Sequence, residues 1–480
     1  MSNVVVIGAG VGGLAAAARL AAAGHRVTVH ERAAEVGGKL GRYERDGFRF
    51  DTGPSLLTLP QVFADLGLEL SPVALDPVVR HHFPDGSVLD SSSDPQVFRE
   101  RIEAAFGAAA GADWARFWVR AERIWRASWR SVLQREVTPA SLAALSWRVG
   151  DLAAIAPGRS LRSLGRHYLR DPRLRMMLDR YATYTGADPR RAPAALAAIP
   201  YAELAFGGWY LPGGLGVLAT ALLDRCRSLG VRVVTSSPVE RICSTAGRAT
   251  GVQLVSGEEV PADVVVANVD ALSVYRDLLP APSRLGGLAA RSLAGFVLLL
   301  GVRGQTPELA HHTVFFPRDY DAEFDAVFGS PGTGERARPP SDPTVFVTRA
   351  ADPTVSPPGT EAWFVLVNAP RHGTSFAAVD WRRPGLADAY GRHILDVLAA
   401  RGLDVRDRLL FTETRTPADL ADATAAPGGA IYGTAGGLTR PANRGPLAGL
   451  FLVGGSTHPG GGLPMVTLSA KIVADEIGPA

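Results

Sequence analysis

The stretch VVVIGAGVGGLAAAARLAAAGHRVTVHE, residues 4–31, decides the fold predicted for this chain of 480 residues. It opens with an apolar run at residues 4–7, as expected of a strand buried on both faces of a parallel sheet. Glycines of the pattern G-x-G-x-x-G, with one addition, follow at Gly8, Gly10, Gly12 and Gly13. Good helix formers then fill residues 14–23, and a second apolar strand at 27–29 leads to Glu31. This order of elements predicts a βαβ unit that binds a dinucleotide.

Each part of this unit has a physical reason to contact a dinucleotide. Gly8 allows the tight turn after the strand, Gly10 lets the backbone approach a pyrophosphate, and Gly13 lets the helix pack closely on the strand. The pyrophosphate would lie at the positive end of the helix, where backbone N–H groups are free. The Glu31 carboxylate can accept hydrogen bonds from the ribose hydroxyls.

The composition is that of an ordinary globular chain. Hydrophobic residues make up 46% and charged residues 20%, and the formal net charge is only +3, so no nucleic-acid partner is expected. Cys226 and Cys243 form no metal or redox motif and are predicted to be free thiols. The first strand begins close to Met1, and no uncharged apolar run is long enough for a transmembrane helix. We therefore expect a cytoplasmic protein without a metal ion.

A second group of glycines identifies the dinucleotide. Arg32 is followed by VGGK at residues 36–39 and, after a further turn, by FDTGPS at residues 50–55. This arrangement resembles the FAD-binding signature of the amine-oxidase and carotenoid-desaturase superfamily. The resemblance implies FAD as the cofactor, with contacts from Arg32, Gly38, Lys39, Asp51, Gly53, Pro54, Ser55 and, from a later strand, Val239.

The end of the chain repeats the pattern of strand and glycine turn. The stretch GLFLVGGSTHPGGGLPMVTLSAKIVADEI, residues 449–477, resembles the C-terminal signature of bacterial carotenoid desaturases. In that signature a glycine-rich turn and a proline precede a helix whose N-terminus points at the flavin. Glycines permit close approach to a flat ring, and a helix N-terminus favours negative charge on the reduced flavin. The expected cofactor contacts here are Gly454, Gly455, Leu463, Pro464 and Met465.

The chain is predicted to be an α/β protein: a Rossmann-type FAD-binding domain of this superfamily, with an α+β substrate domain and a helical insertion. The FAD-binding domain is discontinuous, with segments at residues 1–80, 206–274 and 429–480. Between them lie the helical insertion, residues 81–205, and the substrate domain, residues 275–428.

The segment GAIYG, residues 429–433, followed by Arg440 and Pro441, narrows the resemblance. It is similar to enzymes that desaturate 1-hydroxylated acyclic carotenoids at C3–C4. The resemblance implies a lipophilic polyene substrate, hydride transfer to flavin N5, loss of a proton, and oxygen or a quinone as electron acceptor. Phytoene desaturation remains an alternative, as does terminal oxidation or isomerisation of another carotenoid or terpenoid.

No catalytic residue is assigned with equal force. His458 lies in the flavin turn and is a weak candidate for a general base, although a histidine held by backbone hydrogen bonds is the more ordinary interpretation. Glu203 and Asp270 are expected in structural or solvated positions. The cation left by hydride transfer is spread over the conjugated chain, so positioning of the polyene can supply much of the catalysis.

A substrate that dissolves in lipid implies contact with a membrane. Between residues 114 and 135, aromatic side chains recur at nearly helical spacing: Trp114, Phe117, Trp118, Trp125 and Trp129. Arginines are frequent in the same stretch, and Glu122 is its single acid. This composition predicts an interfacial helix and a protein peripherally associated with a membrane. The alternative is a helix that buries its aromatic side chains in the core or along a substrate tunnel.

Overall fold

The computed structural model describes residues 1–136, 149–280, 285–288, 290–434 and 440–480. Two large sheets organise this part of the chain, one with five strands and one with seven. The five-stranded sheet is parallel, and its strands, in spatial order, are Leu450–Leu452, Val264–Ala267, Asn3–Ile7, Arg26–His30 and Arg232–Val234. Its strands thus come from three widely separated parts of the sequence.

The central strand Asn3–Ile7 shows why the opening run has no polar alternation. Val5 lies opposite Thr28 on one neighbouring strand and Val265 on the other. Val4 and Val6 pack into one hydrophobic core, whereas Val5 and Ile7 pack into another on the opposite face. Both faces are buried, so apolar residues are required at successive positions.

Three helices cover one face of this sheet. The helix Val11–Ala22, which follows the first glycine turn, packs against both Val217–Ser228 and the last helix, Leu463–Ile477. The predicted Rossmann-type α/β fold is confirmed by this arrangement. The domain boundaries proposed from the sequence remain predictions. A separate antiparallel sheet beside the parallel one comprises Val239–Thr245, Arg248–Leu254 and Glu259–Pro261.

The seven-stranded sheet forms one wall of a large cavity. Its strands, in spatial order, are Leu409–Arg415, Ala294–Arg303, Thr360–Ala369, Val345–Arg349, His312–Phe315, Arg80–His82 and Val88–Asp90. Alternate residues of the long strands, such as Phe296 and Trp363, pack in a core with the helix Leu386–Ala400. The intervening residues, such as Val297 and Phe364, face this cavity. The period of two along each strand therefore separates core from cavity wall.

Helices form the opposite wall of this cavity. They are Pro95–Phe106, Ala108–Ser128, Val149–Ile155, Leu161–Tyr168, Pro172–Arg180 and Ala198–Phe206. Further helices lie at Tyr320–Phe328 and Pro417–Thr424, with short turns of helix at Pro60–Leu66, Trp129–Leu133, Tyr181–Thr185, Ala194–Ala197, Ala271–Ser273, Val274–Leu278, Leu285–Leu288, Arg406–Arg408 and Pro427–Gly429. Two-stranded sheets pair Arg42–Arg45 with Phe48–Asp51, Val73–Ala74 with Trp209–Tyr210, and Arg371–His372 with Ala378–Val379.

The aromatic helix Ala108–Ser128 corrects one interpretation of the sequence. Trp114 is 2% exposed and Trp125 8%, and both pack in the main core of the helical layer. Trp118 and Trp129 are partly buried against the same core, and Trp129 stacks on Trp125 with 4.9 Å between ring centroids. The aromatic face is therefore not available as a membrane surface, and the alternative of core and tunnel burial holds. Among the helices that the structure describes, none is long and apolar enough to cross a membrane.

Candidate active site

A cavity of about 1060 Å³ extends from the glycine turns of the parallel sheet to the space between the seven-stranded sheet and the helical wall. Every residue expected from the sequence to contact the cofactor lines this cavity, with the exceptions of Gly13 and Asp51. The residues that line it are Gly8, Gly10, Gly12, Glu31, Arg32, Gly38, Lys39, Gly53, Pro54, Ser55, Val239, Gly454, Gly455, Leu463, Pro464 and Met465. Their roles at the cofactor are proposals, tested below.

Gly13 lies behind the turn and serves packing alone. A Cβ atom at this position would lie 2.1 Å from the Gly8 carbonyl oxygen, closer than any real contact. The third glycine therefore lets the helix approach the strand, as the motif predicts.

Asp51 is not among the residues that line the cavity, and its expected contact with the cofactor stays a prediction. Its carboxylate accepts hydrogen bonds from the backbone N–H groups of Leu215, at 2.7 Å, and Gly216, at 2.8 Å. These groups precede the helix Val217–Ser228, where an acid is favoured by the helix dipole. Burial raises the pKa of Asp51, and the two backbone hydrogen bonds oppose that rise. Asp51 therefore anchors the loop that leads into this helix.

Glu31 is buried at the end of its strand. Its Oε2 accepts a hydrogen bond from Ala9 N at 2.6 Å, and its Oε1 accepts one from Ala33 N at 2.9 Å. A carboxylate has about four lone-pair sites, so acceptor capacity remains for ribose hydroxyls. The backbone contacts hold the acid where such hydroxyls would lie.

Asn268 occupies the space between the two glycine turns, a position that the sequence reasoning missed. A Cβ atom at Gly10 would lie 2.8 Å from its side-chain amide, and one at Gly454 would lie 2.6 Å from it. Asn268 directly follows the strand Val264–Ala267. Ligands bind at the carboxyl ends of parallel strands, so the position of Asn268 directly after this strand could have identified it from the sequence as a site residue.

Buried charges join the two turns to the segment around residue 431. Lys39 Nζ donates to the carbonyl oxygens of Ala430, at 2.9 Å, and Ile431, at 2.6 Å. Burial lowers the pKa of Lys39 to about 8, although the charge of Asp270 opposes this. The segment GAIYG, which carried the narrower resemblance, is thus fixed against the cavity by the lysine of the FAD signature.

Arg440 makes the second link between these segments. Its Nη1 donates to the carbonyl oxygens of Tyr432, at 2.7 Å, and Gly455, at 2.9 Å. Burial lowers the pKa of Arg440 to about 10. Asp270 forms a buried ion pair with Arg291, which agrees with the structural role expected for this acid.

The C-terminal turn fits a flat aromatic ring. Gly461 has no room for a side chain, since a Cβ atom would lie 2.4 Å from Cδ1 of Tyr432. The helix Leu463–Ile477 begins directly after this turn, and its first residues line the cavity. Together with the helix Val11–Ala22, two N-termini lie at one cavity, one suited to a diphosphate and the other to a reduced flavin ring. The residues present therefore fit FAD.

His458 belongs to the same turn but is held by the backbone. Its Nε2 lies 3.0 Å from the carbonyl oxygen of Val132, which can only accept, so the ring donates this hydrogen bond. Burial lowers the pKa of His458. The imidazole therefore links the flavin turn to the helical wall.

Much of the remainder of the cavity is apolar, although polar side chains such as Thr183, Thr344 and Asn368 also line it. Side chains from the helical wall and from the seven-stranded sheet supply the apolar surface: Trp125, Val132, Leu133, Leu196, Ile199, Val297, Phe364 and Leu366. Arg180, Tyr184 and Glu203 also line the cavity; Arg180 and Glu203 are buried, and Tyr184 is half-buried. Sequence reasoning placed no residue of the helical insertion at the site and expected Glu203 in a structural or solvated position. No local motif marks these residues, because the fold alone brings them together.

Nowhere in the described residues does a cluster of three or more histidine, cysteine, aspartate or glutamate side chains offer a metal site. The fold and the glycine cradle instead define an oxidoreductase that uses FAD.

Comparison with known proteins agrees with this class. The family of flavin containing amine oxidoreductases matches residues 11–295. Solved structures with the same fold include an oxidoreductase from Methanosarcina mazei, with a TM-score of 0.66, 18% identity, and coverage of 98% of this chain and 100% of that one. Cyclohexylamine oxidase from Brevibacterium oxydans gives a TM-score of 0.57, 18% identity and 99% coverage of both chains.

Curated relatives extend over nearly the whole chain. A 4,4'-diapolycopene oxygenase of a Methylomonas species is 33% identical, over 99% of this chain and 98% of that protein. The hydroxyneurosporene desaturase of Cereibacter sphaeroides is 34% identical, over 99% and 97%. A 4,4'-diaponeurosporene oxygenase of Staphylococcus aureus is 31% identical, over 99% and 98%. The chain belongs to the carotenoid desaturase-like branch of the flavin containing amine oxidoreductases, and it is an FAD-dependent enzyme that modifies carotenoids.

Proposed function

We propose that the enzyme desaturates the C3–C4 bond of an acyclic carotenoid that carries a hydroxyl group at C1. The observation that carries the proposal is the continuity of the cavity, which joins the flavin turn around Gly461 to a long apolar lining. An acyclic polyene is a rod of the same chemical character as that lining. The relative named hydroxyneurosporene desaturase, at 34% identity, supports this choice of reaction.

Bound FAD supplies an acceptor for the two electrons and the hydrogen that leave the polyene together. The protein itself supplies position and a dry surface. Val297, Phe364 and Leu366, from alternate positions of neighbouring strands, form one apolar wall of the cavity. Trp125 and Val132 form part of the wall on the helical side. Confinement between two such walls holds the reacting carbons next to the flavin turn, which accounts for catalysis without a strong base.

The proton that leaves the neighbouring carbon is not assigned to His458. Its Nε2 donates to the Val132 carbonyl oxygen, which holds the ring in the link between the flavin turn and the helical wall. The polyene cation is delocalised, so its proton is acidic enough for water to accept. For the electrons, we propose oxygen or a quinone as the final acceptor.

Terminal oxidation of a carotenoid is the second candidate. It is favoured by the relatives named 4,4'-diapolycopene oxygenase and 4,4'-diaponeurosporene oxygenase, at 33% and 31% identity. Such a reaction would use the same cavity with a methyl end of the polyene at the flavin turn. The two candidates differ in mass balance, since desaturation removes two hydrogens and terminal oxidation adds oxygen.

We further propose peripheral contact with a membrane surface, through the outer face of the helix Ala108–Ser128 and the turn that follows. Side chains of Arg116, Arg126 and Arg130 are 59%, 75% and 64% exposed there, and each also forms an ion pair with a neighbouring carboxylate: Asp113, Glu122 and Asp151 respectively. Val119 is 47% exposed on the same helix. Basic side chains attract anionic lipid headgroups. This surface replaces the tryptophan face, which is buried.

The test is expression in a host that accumulates acyclic carotenoids with and without a C1 hydroxyl group. Pigments are separated by chromatography, and their molecular masses are determined by mass spectrometry. The proposal predicts a product two hydrogens lighter than the hydroxylated carotenoid, with one further conjugated double bond. A product that has gained oxygen favours terminal oxidation. Unchanged pigments in cells that contain the flavin-loaded enzyme would overturn both.

A further inference from the structure

Two opposite charges lie on the cavity wall without satisfying one another. Arg180 is 6% exposed and Glu203 1% exposed, and both line the cavity. Arg180 ends the helix Pro172–Arg180, and Glu203 lies in the helix Ala198–Phe206. Buried charges in proteins are normally paired or fully hydrogen-bonded, because an unpaired buried charge is costly.

Within the described part of the chain, each side chain keeps one polar atom without a hydrogen-bond partner, although the Tyr184 hydroxyl lies between them and interacts with both. Arg180 Nη2 donates to the hydroxyl oxygen of Tyr184 at 3.0 Å, and Glu203 Oε1 accepts a hydrogen bond from the hydroxyl of Tyr181 at 2.8 Å. The unpaired atoms, Nη1 of Arg180 and Oε2 of Glu203, are buried and have no hydrogen-bond partner among the described residues. A buried donor and a buried acceptor are thus left over on the wall of one cavity. Because buried polar atoms in native proteins are nearly always hydrogen-bonded, these two unpaired atoms require an explanation.

The two side chains are close enough to interact electrostatically. Burial lowers the pKa of Arg180, but nearby groups that include Glu203 outweigh this and raise it overall. Burial likewise raises the pKa of Glu203, while the positive charge of Arg180 opposes the rise. The free donor and the free acceptor therefore belong to one charged group on the wall of the cavity.

The chemistry of a ligand for this group follows from its two free atoms. Arg180 Nη1 can only donate, and an ionised Glu203 Oε2 can only accept. A carbonyl or ether oxygen would satisfy the arginine and leave the glutamate unpaired. A hydroxyl group accepts from one and donates to the other, so it satisfies both at once.

The polar group also lies near the flavin turn. Tyr432 packs against the backbone of Gly461, and the Tyr432 side chain lines the same cavity. Burial raises the pKa of Tyr432 to about 12, and the positive charge of Arg180 opposes this rise. Tyr432 therefore senses the charge of Arg180 on one side and contacts the flavin turn on the other.

We propose that Arg180 and Glu203 bind the terminal hydroxyl group of the polyene and thereby select hydroxylated substrates. The inference rests on the proposed function, since it names the part of the substrate that the site recognises. In a carotenoid with a hydroxyl at C1, the oxygen is three bonds from C3. A hydroxyl held close to the flavin turn therefore brings the C3–C4 bond to the reacting position. Arg180 and Glu203 are positioning residues in this scheme.

The test measures binding preference separately from turnover. Two acyclic polyenes that already carry the C3–C4 double bond, with and without a C1 hydroxyl, are presented together in neutral liposomes to the FAD-loaded enzyme. Bound pigment is extracted and quantified by chromatography. Because hydrogen bonds to charged groups are strong, we expect the wild type to prefer the hydroxylated polyene by about ten-fold or more.

Arg180→Lys keeps the positive charge but removes the forked geometry of the guanidinium group. Glu203→Gln keeps the size and polarity of the side chain but removes its negative charge. Each is expected to reduce the preference to less than about two-fold, since one partner of the hydroxyl is lost. Arg349→Lys and Glu361→Gln are matched controls. They alter a partly buried ion pair of 3.0 Å that does not line the cavity, and they should keep the wild-type preference. If one of the two site variants fails to hold FAD, the other decides.

Equal binding of the two polyenes by the wild type would overturn the inference, as would an unchanged preference in a flavin-loaded site variant. The proposed function fails on a different result, the absence of a lighter product in the pigment-accumulating host. A protein that prefers the hydroxylated polyene but forms no such product keeps the binding site and loses the assigned reaction.

Discussion

His458 Nε2 and the Val132 carbonyl oxygen lie 3.0 Å apart and join the flavin turn to the end of the aromatic helical segment. The two residues are far apart in the sequence, yet both line the cavity. The contact fixes the ring as a hydrogen-bond donor and ties two walls of the site together. His458, the histidine of the C-terminal signature, is therefore a structural link between these two walls.

His458→Gln should therefore retain activity within a few-fold of the wild type, because a glutamine amide can also donate to a carbonyl. His458→Ala removes one hydrogen bond to the Val132 carbonyl oxygen, which still accepts from Arg135 N at 3.4 Å, and should lower the free energy of unfolding by about 1 kcal/mol. Activity and its pH profile are measured with flavin-loaded protein. A loss of more than about a hundred-fold in His458→Gln, with FAD retained, would restore the histidine as a base.

Gly13→Ala should abolish retention of FAD. A Cβ atom there would lie 2.1 Å from the Gly8 carbonyl oxygen, so the helix must move away from the strand that begins the nucleotide site. Absorbance of the purified protein near the flavin maximum gives the bound fraction. Gly150→Ala is the matched control, because Gly150 has open space around its Cβ position and should keep FAD.

Lys39 should give the enzyme a stability that rises in alkaline solution. Its pKa is lowered from 10.5 to about 8 in the folded protein, chiefly by burial, so between these pH values the unfolded chain binds more protons than the folded one. The free energy of unfolding therefore increases as the pH rises from about 8 to 10.5, by at most about 3 kcal/mol. Lys39→Met should lack this increase. Urea unfolding of both proteins across the range measures the difference, and parallel curves would contradict it.

Asp51→Asn should weaken the fold and spare the cofactor. The amide keeps one acceptor for Leu215 and Gly216 but loses the charge at the helix start, so we expect a loss of about 1–2 kcal/mol in stability. Flavin absorbance at saturation should match the wild type. A variant that is as stable as the wild type but cannot hold FAD would return Asp51 to the cofactor site.

Association with anionic liposomes should depend on exposed arginines and not on tryptophans. Arg126→Gln combined with Arg130→Gln should reduce flotation several-fold at low salt, since about 1 kcal/mol per basic residue is expected near an anionic surface. Trp125→Ala should destabilise the fold by about 3–5 kcal/mol and leave flotation of the folded protein unchanged. Loss of flotation in Trp125→Ala alone would reinstate the aromatic surface.

Prediction from sequence succeeded where local chemistry dictates structure. The glycines around Gly10 and Gly461 are required by close approaches that no side chain permits, so their spacing reveals the βαβ unit and the C-terminal turn. The cofactor follows from the same backbone requirements. Both cysteines are free thiols, as expected, but only Cys226 is buried, whereas Cys243 is half-buried.

Two features depended on packing and could not be read locally. The periodicity that placed Trp114 and Trp125 on one helix face was correct, but a helix face of this composition can meet a core or a lipid surface equally well. Which one it meets depends on the helices packed over it. Arg180 and Glu203 come to the wall of one cavity only because the fold brings two different helices to it, a relation that no motif encodes.

The outer strand Leu450–Leu452 and the final helix have a consequence for biosynthesis. The first glycine turn emerges from the ribosome early, but the strand that extends its sheet and the turn that faces it belong to the last part of the chain. During translation the nucleotide half must persist without one edge strand, with its apolar opening helix uncovered by its C-terminal partner. Flavin capture therefore becomes a post-translational step, and nascent chains of this enzyme are candidates for chaperone protection until the C-terminus is released.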